Sequence, residues 1–408
     1  MKYLFISDVR FDNPKSGSEQ VLYQQIIGLS KKNHSIAAIT RENDNSFNSG
    51  IGENQNILNA YYSVDLKHKY RTLFTLLKEP CRLFQNLNDK EKLAVAISHQ
   101  PFTCFSLMID RKLSHIPLIY VFHSPNHEEY ILSGKTLNYF GKILLIQLRR
   151  MIEKFCLQKA ERIMVLSQFM KRKVIDLHRI SHNRITVNAG GADLDRFKPI
   201  ENREFAKKDL GFKKNYIHLL TIRNLEPRMG IDNLLKSIKI LKQRQVQVHL
   251  TIGGEGPEKE NLEKSIERLG LTEEVNLTGF IPAEQLPRFY AAADFFILPT
   301  RHLEGFGLVT PESMACGTPV IGTPVGGTKE ILSGFNCNLL CRDYSPEAIA
   351  DGIQKSIRLY FNDRKLYKNL RMSCREYIKN NYSWQRHINQ LNSLIDETLG
   401  SPYNKIPN

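Results

Sequence analysis

The four apolar residues Phe295 to Leu298 are followed at once by Pro299, charged residues and glycines. A run of this length suits a buried strand, and the break after it takes the chain out of a sheet and into a loop. Beyond the loop, Thr310 offers a hydroxyl cap, Pro311 suits the first helical position and Glu312 falls in the first turn. Unpaired N–H groups and partial positive charge are exposed there. A strand that feeds a glycine-bearing loop and a helix N-terminus makes an anion site.

The same unit recurs along the chain. Residues 3–7 form an apolar run, residues 8–15 a polar loop, and Ser16 with Glu19 a capping box ahead of Leu22, Ile26 and Leu29 at helical spacing. Residues 36–40 then restart the strand pattern. In the second half, Ile217 to Ile222, the helical spacing of 234–241, residues 246–252 and the Gly253, Gly254, Gly256 loop repeat the order. Strand, loop and helix in alternation predict an α/β chain of two Rossmann-like halves. No G-x-G-x-x-G is present, so a dinucleotide cofactor is not indicated.

A length of 408 residues suits two domains, and 41% hydrophobic content suits a globular chain. The expected division is 1–199, 200–382 and a last helix over 383–400, with residues 201–215 as a polar linker carrying a short helix. Cys81, Cys104, Cys156, Cys316, Cys337, Cys341 and Cys374 are dispersed, which predicts reduced thiols and a cytoplasmic protein. The first residues, MKYLFISDVRFDN, suit a strand rather than a signal peptide, and no run approaches the roughly 18 apolar residues of a membrane span.

Net charge is +15, from 57 basic and 42 acidic residues, and favours anionic partners. Two segments concentrate basic and aromatic residues. Residues 61–92 carry Lys67, Lys69, Tyr70, Arg71, Phe74, Lys78 and Arg82. Residues 135–159 interleave Phe140, Ile143, Leu144, Leu145, Ile146 and Leu148 with Lys142, Arg149, Arg150 and Lys154. Both patterns suit helices lying peripherally on an anionic membrane, at its inner face, and both equally suit core-facing helices with a solvated basic side.

Candidate site residues gather at strand ends. Glu304 and Glu312 lie in the loop and in the first helical turn, suited to accept hydrogen bonds from sugar or ribose hydroxyls; a solvated loop acid and a helix-dipole acid are the plainer reading. Arg223 and Arg228 follow the strand Ile217–Ile222, where planar guanidiniums can bind an anion with paired hydrogen bonds. His123 directly follows the run 117–122, with His99 and His127 as weaker candidates. Gly17 allows close backbone approach, or simply makes a turn. Asp193 and Asp195 form a D-x-D, a pattern that elsewhere holds a divalent metal under a diphosphate.

Glu304, Gly305, Phe306, Gly307, then Glu312, Ala315, Gly317, Pro319 and Val320 resemble the E-x7-E signature of family 4 glycosyltransferases. The resemblance implies the GT-B fold, two Rossmann-like domains facing each other across a deep cleft, with the last helix crossing back to the first domain. It implies a retaining transferase that moves a sugar from a nucleotide diphosphate sugar to a glycan or lipid-linked acceptor, with bacterial surface polysaccharide or glycoconjugate synthesis as the setting.

Residue by residue, the resemblance implies that Glu304 contacts the transferred sugar and Glu312 the ribose, and that FHSP places His123 beside the sugar. Arg223 and Arg228 take the place of the usual arginine and lysine, since Met229 stands where the lysine would. The Phe306, Gly307 and Leu308 amides face the diphosphate, and Gly17 lies in a loop where the usual second glycine is Ser18. The D-x-D falls in the family's N-G-x-D segment, so no metal and no cofactor beyond the donor is expected. A sugar-nucleotide epimerase or phosphorylase shares this architecture. A non-enzymatic polyanion binder would explain the charge, but no nucleic-acid-binding module is evident.

Overall fold

The computed structural model describes all residues except 13, 15, 43–49, 55, 65–68, 89–91, 133–138 and 401–408. Lys67 and Lys135 therefore lie outside the described residues. The chain forms two compact units, one of Met1–Ala189 with the segment from Trp384, the other of Gly190–Ser383.

The first unit is built on β1 (Lys2–Ile6), β2 (Ser35–Glu42), β3 (Gly50–Asn54), β4 (Ile57–Ser63), β5 (Leu93–Ser98), β6 (Leu118–Phe122), β7 (Arg162–Val165) and β8 (Ile185–Val187). They form one sheet in the order β3-β4-β2-β1-β5-β6-β7-β8. Every pairing is parallel except the edge pair β3 and β4. Strands buried on both faces read as continuous apolar runs, which is why β1 and β6 are wholly buried and stand out in the sequence. The strand order reverses between β1 and β5, and a doubly wound sheet opens its ligand crevice at the carboxyl ends on either side of such a reversal.

The helix Gly17–Ser30 starts on the expected capping box, with Ser16 accepting from the Glu19 amide and the Glu19 carboxylate accepting from the Ser16 amide. Its Leu22, Ile26 and Leu29 share a core with Tyr3 and Phe5 of β1 and with Ile388, Leu391, Leu394 and Ile395 of the last helix, Trp384–Leu399. The last helix thus returns to the first unit. Burying side chains of this size stabilises by about 1.5–3 kcal/mol each. The two helices meet at Gly28, where an added Cβ would lie 2.5 Å from Cγ1 of Ile388.

The second unit carries β9 (Ile217–Ile222), β10 (Val248–Gly253), β11 (Val275–Gly279), β12 (Phe295–Leu298) and β13 (Val320–Gly322). The sheet is parallel, in the order β11-β10-β9-β12-β13, so its reversal falls between β9 and β12.

Two stretches differ from the sequence-based expectation. Residues 190–199 pack with the second unit: Phe197 stacks edgewise on Tyr290 at 5.9 Å, and Arg375 donates to the Leu194 and Phe197 carbonyls. Residues 201–215 are no free linker, because the helix Arg203–Asp209 is held to the sheet through Asp294, to which Arg203 and Lys207 donate. Among the described residues, no helix is long and apolar enough to cross a membrane.

Candidate active site

In the second unit the two strands flanking the reversal supply the site. Arg223 directly follows β9, and the loop 299–308 follows β12. Arg223 Nη2 donates to Glu304 Oε2 at 2.7 Å and Nη1 to Thr300 Oγ1 at 3.2 Å, while Thr300 Oγ1 donates to Glu304 Oε2 at 2.9 Å. The guanidinium and carboxylate are only 6% and 8% exposed, so a charge pair stands largely out of water at the carboxyl ends of a parallel sheet.

The loop that presents Glu304 is braced on both sides. Leu303 adopts a left-handed φ of 56°, a costly conformation for a residue other than glycine, and its carbonyl accepts from Arg228 Nη1 at 3.2 Å. Arg228 also pairs with Glu226 through Nε at 2.9 Å. On the other side, the Glu304 carbonyl accepts from the Gly327 amide at 3.0 Å, at the start of the helix Gly326–Phe335. A Cβ on Gly326 would lie 1.9 Å from that carbonyl oxygen, so only glycine lets the loop rest there. Phe306 and Leu308 in the same loop are buried.

Glu312 lies in the first turn of the helix Val309–Ala315. The helix begins before Thr310, which is therefore no cap: it sits within the helix, and its buried hydroxyl has no hydrogen-bond partner among the described residues. Glu312 Oε2 accepts from the Tyr290 hydroxyl at 3.2 Å. Burial pushes its carboxyl up to about 7, against the opposing pull of that bond and of Arg196. Sequence reasoning missed Thr300, Tyr290 and Thr328. The Thr328 hydroxyl, 1% exposed, also lacks a hydrogen-bond partner among the described residues, and a Cβ on Gly307 would lie 2.9 Å from it.

In the first unit, His123 follows β6 and His99 follows β5, and the structure brings them together: His99 Nδ1 lies 3.0 Å from His123 Nε2. His99 Nε2 lies 3.0 Å from Gln25 Oε1, Gln25 Nε2 lies 3.0 Å from His387 Nε2, and His387 Nδ1 lies 2.9 Å from the Ala189 carbonyl. Burial lowers the His123 and His387 imidazoles to about 4 and that of His99 well below its ordinary value. His127 belongs to another cluster, with Glu153 and His178. Gly17 opens the first helix immediately after its Ser16 cap. Sequence reasoning also missed Asp8, whose carboxylate accepts from the Phe102 and Thr103 amides and caps the helix Pro101–Ile109.

The D-x-D closes a local turn, in which Asp193 Oδ1 accepts from the Asp195 and Arg196 amides at 3.1 and 3.2 Å. Among the described residues, no group of three or more His, Cys, Asp or Glu is placed to hold a metal ion.

Two family descriptions match the chain, "Glycosyltransferase Family 4" over residues 15–196 and "Glycosyl transferases group 1" over residues 202–381. The D-inositol 3-phosphate glycosyltransferase of Corynebacterium jeikeium is 30% identical over 61% of this chain and 60% of its own length. A GDP-mannose-dependent alpha-(1-6)-phosphatidylinositol monomannoside mannosyltransferase of Mycolicibacterium smegmatis is 35% identical over 35% of this chain and 40% of its own. The chain thus spans less than two thirds of these curated relatives. Among solved structures, sucrose-phosphate synthase from Thermosynechococcus elongatus superposes with a TM-score of 0.80 at 19% identity, covering 98% of this chain and 100% of that one.

Proposed function

The chain belongs to the family 4 glycosyltransferases, with the GT-B fold, and we propose that it moves a sugar from a nucleotide diphosphate donor to a glycan or lipid-linked acceptor with retention of configuration. The observation that carries this reading is the Arg223, Thr300 and Glu304 constellation at the strand-order reversal of the second sheet. Arg223 neutralises charge on the diphosphate, and the Phe306, Gly307 and Leu308 amides donate to its oxygens. Glu304 accepts from sugar hydroxyls, Glu312 from the ribose, and His123 contacts the transferred sugar, as the family resemblance implies. Arg228 acts by bracing the Leu303 carbonyl as well as by its charge. The Thr328 hydroxyl gains in the ligand the partner it lacks among the described residues.

The chemistry proposed is a front-face displacement. The bond between the anomeric carbon and the diphosphate oxygen breaks, the acceptor oxygen bonds to the same face of that carbon, and its proton passes to the leaving phosphate oxygen. A double displacement would need a carboxylate about 3 Å from the anomeric carbon, and Oε2 of Glu304 already accepts from Arg223 and Thr300. The setting proposed is the cytoplasm, in synthesis of a bacterial surface polysaccharide or glycoconjugate.

Glu312 provides the test. If its ionised form grips the ribose, donor affinity rises about tenfold from about pH 6 to about pH 8 for a carboxyl that titrates at about 7. Folding runs the other way. A carboxyl raised above its ordinary 4.5 contributes stability that is present below 4.5 and is lost as pH rises through about 7. A panel of nucleotide sugars, which do not themselves titrate in this window, is scored by thermal shift at each pH. Glu312→Gln should bind the chosen donor more weakly by about 1.5–3 kcal/mol and with no pH slope. A panel in which no nucleotide sugar stabilises the protein would remove the transferase reading.

The helix Tyr139–Lys159 supports membrane contact. Tyr139, Phe140, Leu144 and Met151 are 74%, 83%, 72% and 64% exposed, while Ile152, Cys156 and Leu157 on its other side are buried. Arg149 and Arg150 turn inward, to Asn126 and to the Leu177 carbonyl, so the apolar side chains, with exposed Lys154 and Lys159 nearby, carry the attraction. Sedimentation with phosphatidylglycerol vesicles should fall at least fivefold in Phe140→Ser/Leu144→Ser; equal sedimentation of variant and parent would end this part of the reading.

A further inference from the structure

We propose that a hydrogen-bonded relay within the first unit, running from the Ala189 carbonyl through His387, Gln25 and His99, holds the proton of His123 on Nε2 and leaves Nδ1 as a bare acceptor, so that His123 meets a hydroxyl of the substrate and never a phosphate oxygen. The inference rests on the reading of His123 as a substrate contact and adds to it the direction of the hydrogen bond and three positioning residues, Gln25, His99 and His387.

The direction follows from one fixed end. A backbone carbonyl has no proton, so His387 Nδ1, 2.9 Å from the Ala189 oxygen, carries one. A neutral His387 then has a lone pair on Nε2, which lies 3.0 Å from Gln25 Nε2, an amide donor. That fixes the amide of Gln25, whose Oε1 faces His99 Nε2 at 3.0 Å and requires a proton there. His99 Nδ1 is left as an acceptor for His123 Nε2, again at 3.0 Å, and His123 Nδ1 is bare by elimination. Reversing any single link would set two lone pairs or two protons face to face.

The relay is sealed. Gln25 is fully buried, His99 and His387 are 2% and 1% exposed, and the protonated forms of the three imidazoles are disfavoured by the same burial. A side-chain amide of Asn188 donates to the His387 carbonyl at 3.0 Å and fixes the backbone that carries the anchor. Of the four side chains in the relay only that of His123, at the carboxyl end of β6, belongs to a partly exposed residue. Its ring therefore offers the substrate an acceptor of fixed sense. Such an acceptor receives a hydrogen bond from a hydroxyl and repels the oxygens of a diphosphate, which carry no proton at neutral pH.

The test reads proton positions directly. In the free protein labelled with 15N-histidine, long-range 15N–1H correlation should show His99 and His123 protonated on Nε2 and His387 on Nδ1. In His387→Phe an aromatic ring stays but the anchor is gone, so the Gln25 amide can turn over, and His99 and His123 should populate both tautomers. Turnover in this variant should fall about tenfold, while affinity for UDP and GDP, measured calorimetrically, stays within about twofold. A wild-type His123 protonated on Nδ1, or a single unchanged tautomer in His387→Phe, overturns the relay. A fall in nucleoside diphosphate affinity parallel to the fall in turnover overturns the hydroxyl assignment. Mixed tautomers with unchanged turnover overturn the substrate contact of His123 and leave the donor reading at Arg223 and Glu304 standing. Should His387→Phe fail to fold, the wild-type spectrum alone decides.

Discussion

Arg223→Ala is expected to lower turnover by a factor of about 10²–10³, the loss of about 2.7–4 kcal/mol that follows removal of one preorganised donor from a site of developing negative charge. Arg223 is 6% exposed, pairs with Glu304 at 2.7 Å and reaches Thr300 at 3.2 Å. Its removal therefore has a second effect, since Glu304 is left buried with Thr300 as its one side-chain partner among the described residues. Breaking a buried pair on one side costs about 3–5 kcal/mol, which a domain of ordinary stability survives. The two effects separate in a double variant. Arg223→Ala/Glu304→Gln replaces the stranded carboxylate by a neutral amide and should regain most of the lost melting temperature, yet turnover should stay at or below that of Arg223→Ala. A single Arg223→Ala variant with parental turnover would take the residue out of the site. Recovery of turnover along with stability would make the pair a structural brace only.

What could be read from the sequence, and what could not, follows the reach of the interactions. β1, β6, β9 and β12 were legible because parallel strands covered on both faces leave runs of apolar residues with breaks after them. Arg223 and Glu304 were legible because each falls within a few residues of such a break. Their pairing was not, since they stand 81 positions apart. Gln25 and His387 are 362 positions apart, and each looks like an ordinary polar residue on an otherwise apolar helical stripe. Arg228 was read as a diphosphate ligand from its loop and from the family resemblance. Its bond to the Leu303 carbonyl depends on a left-handed leucine, and no composition signal marks a non-glycine residue in that conformation. Thr310 looked like a cap because it precedes Pro311, but the helix had already begun at Val309. Arg149 and Arg150 looked solvated because charge alone does not show that Asn126 and the Leu177 carbonyl draw them inward.

Asp294→Ala is expected to have a large effect on the stability of the second unit, and almost none on chemistry. Asp294 is 1% exposed and immediately precedes β12; it accepts from the His218 amide at 2.8 Å, from Lys207 at 3.1 Å and from Arg203. Burial alone would raise its carboxyl, but Arg203, Lys207 and the His218 amide outweigh it and hold the group below its ordinary value. A depressed carboxyl contributes stability that is present above the unfolded value of 3.8 and is lost as pH falls through the folded one. Removing it should cost about 3–5 kcal/mol, a drop of about 6–20 °C in melting temperature for a unit of this size, and should move acid unfolding to higher pH. Asp294→Asn, which can still accept from the His218 amide, should cost less. Both variants should keep parental turnover at temperatures where they remain folded, because Asp294 lies at the amino end of the strand whose carboxyl end leads to Glu304. One strand thus carries a buried ion pair beyond each end. The amino-end pair holds the helix Arg203–Asp209, and the carboxyl-end pair is the one we propose for the ligand, since α/β sheets open their crevices at carboxyl ends. Fully folded Asp294→Ala with turnover reduced tenfold, or with an unaltered melting temperature, would break that division of labour.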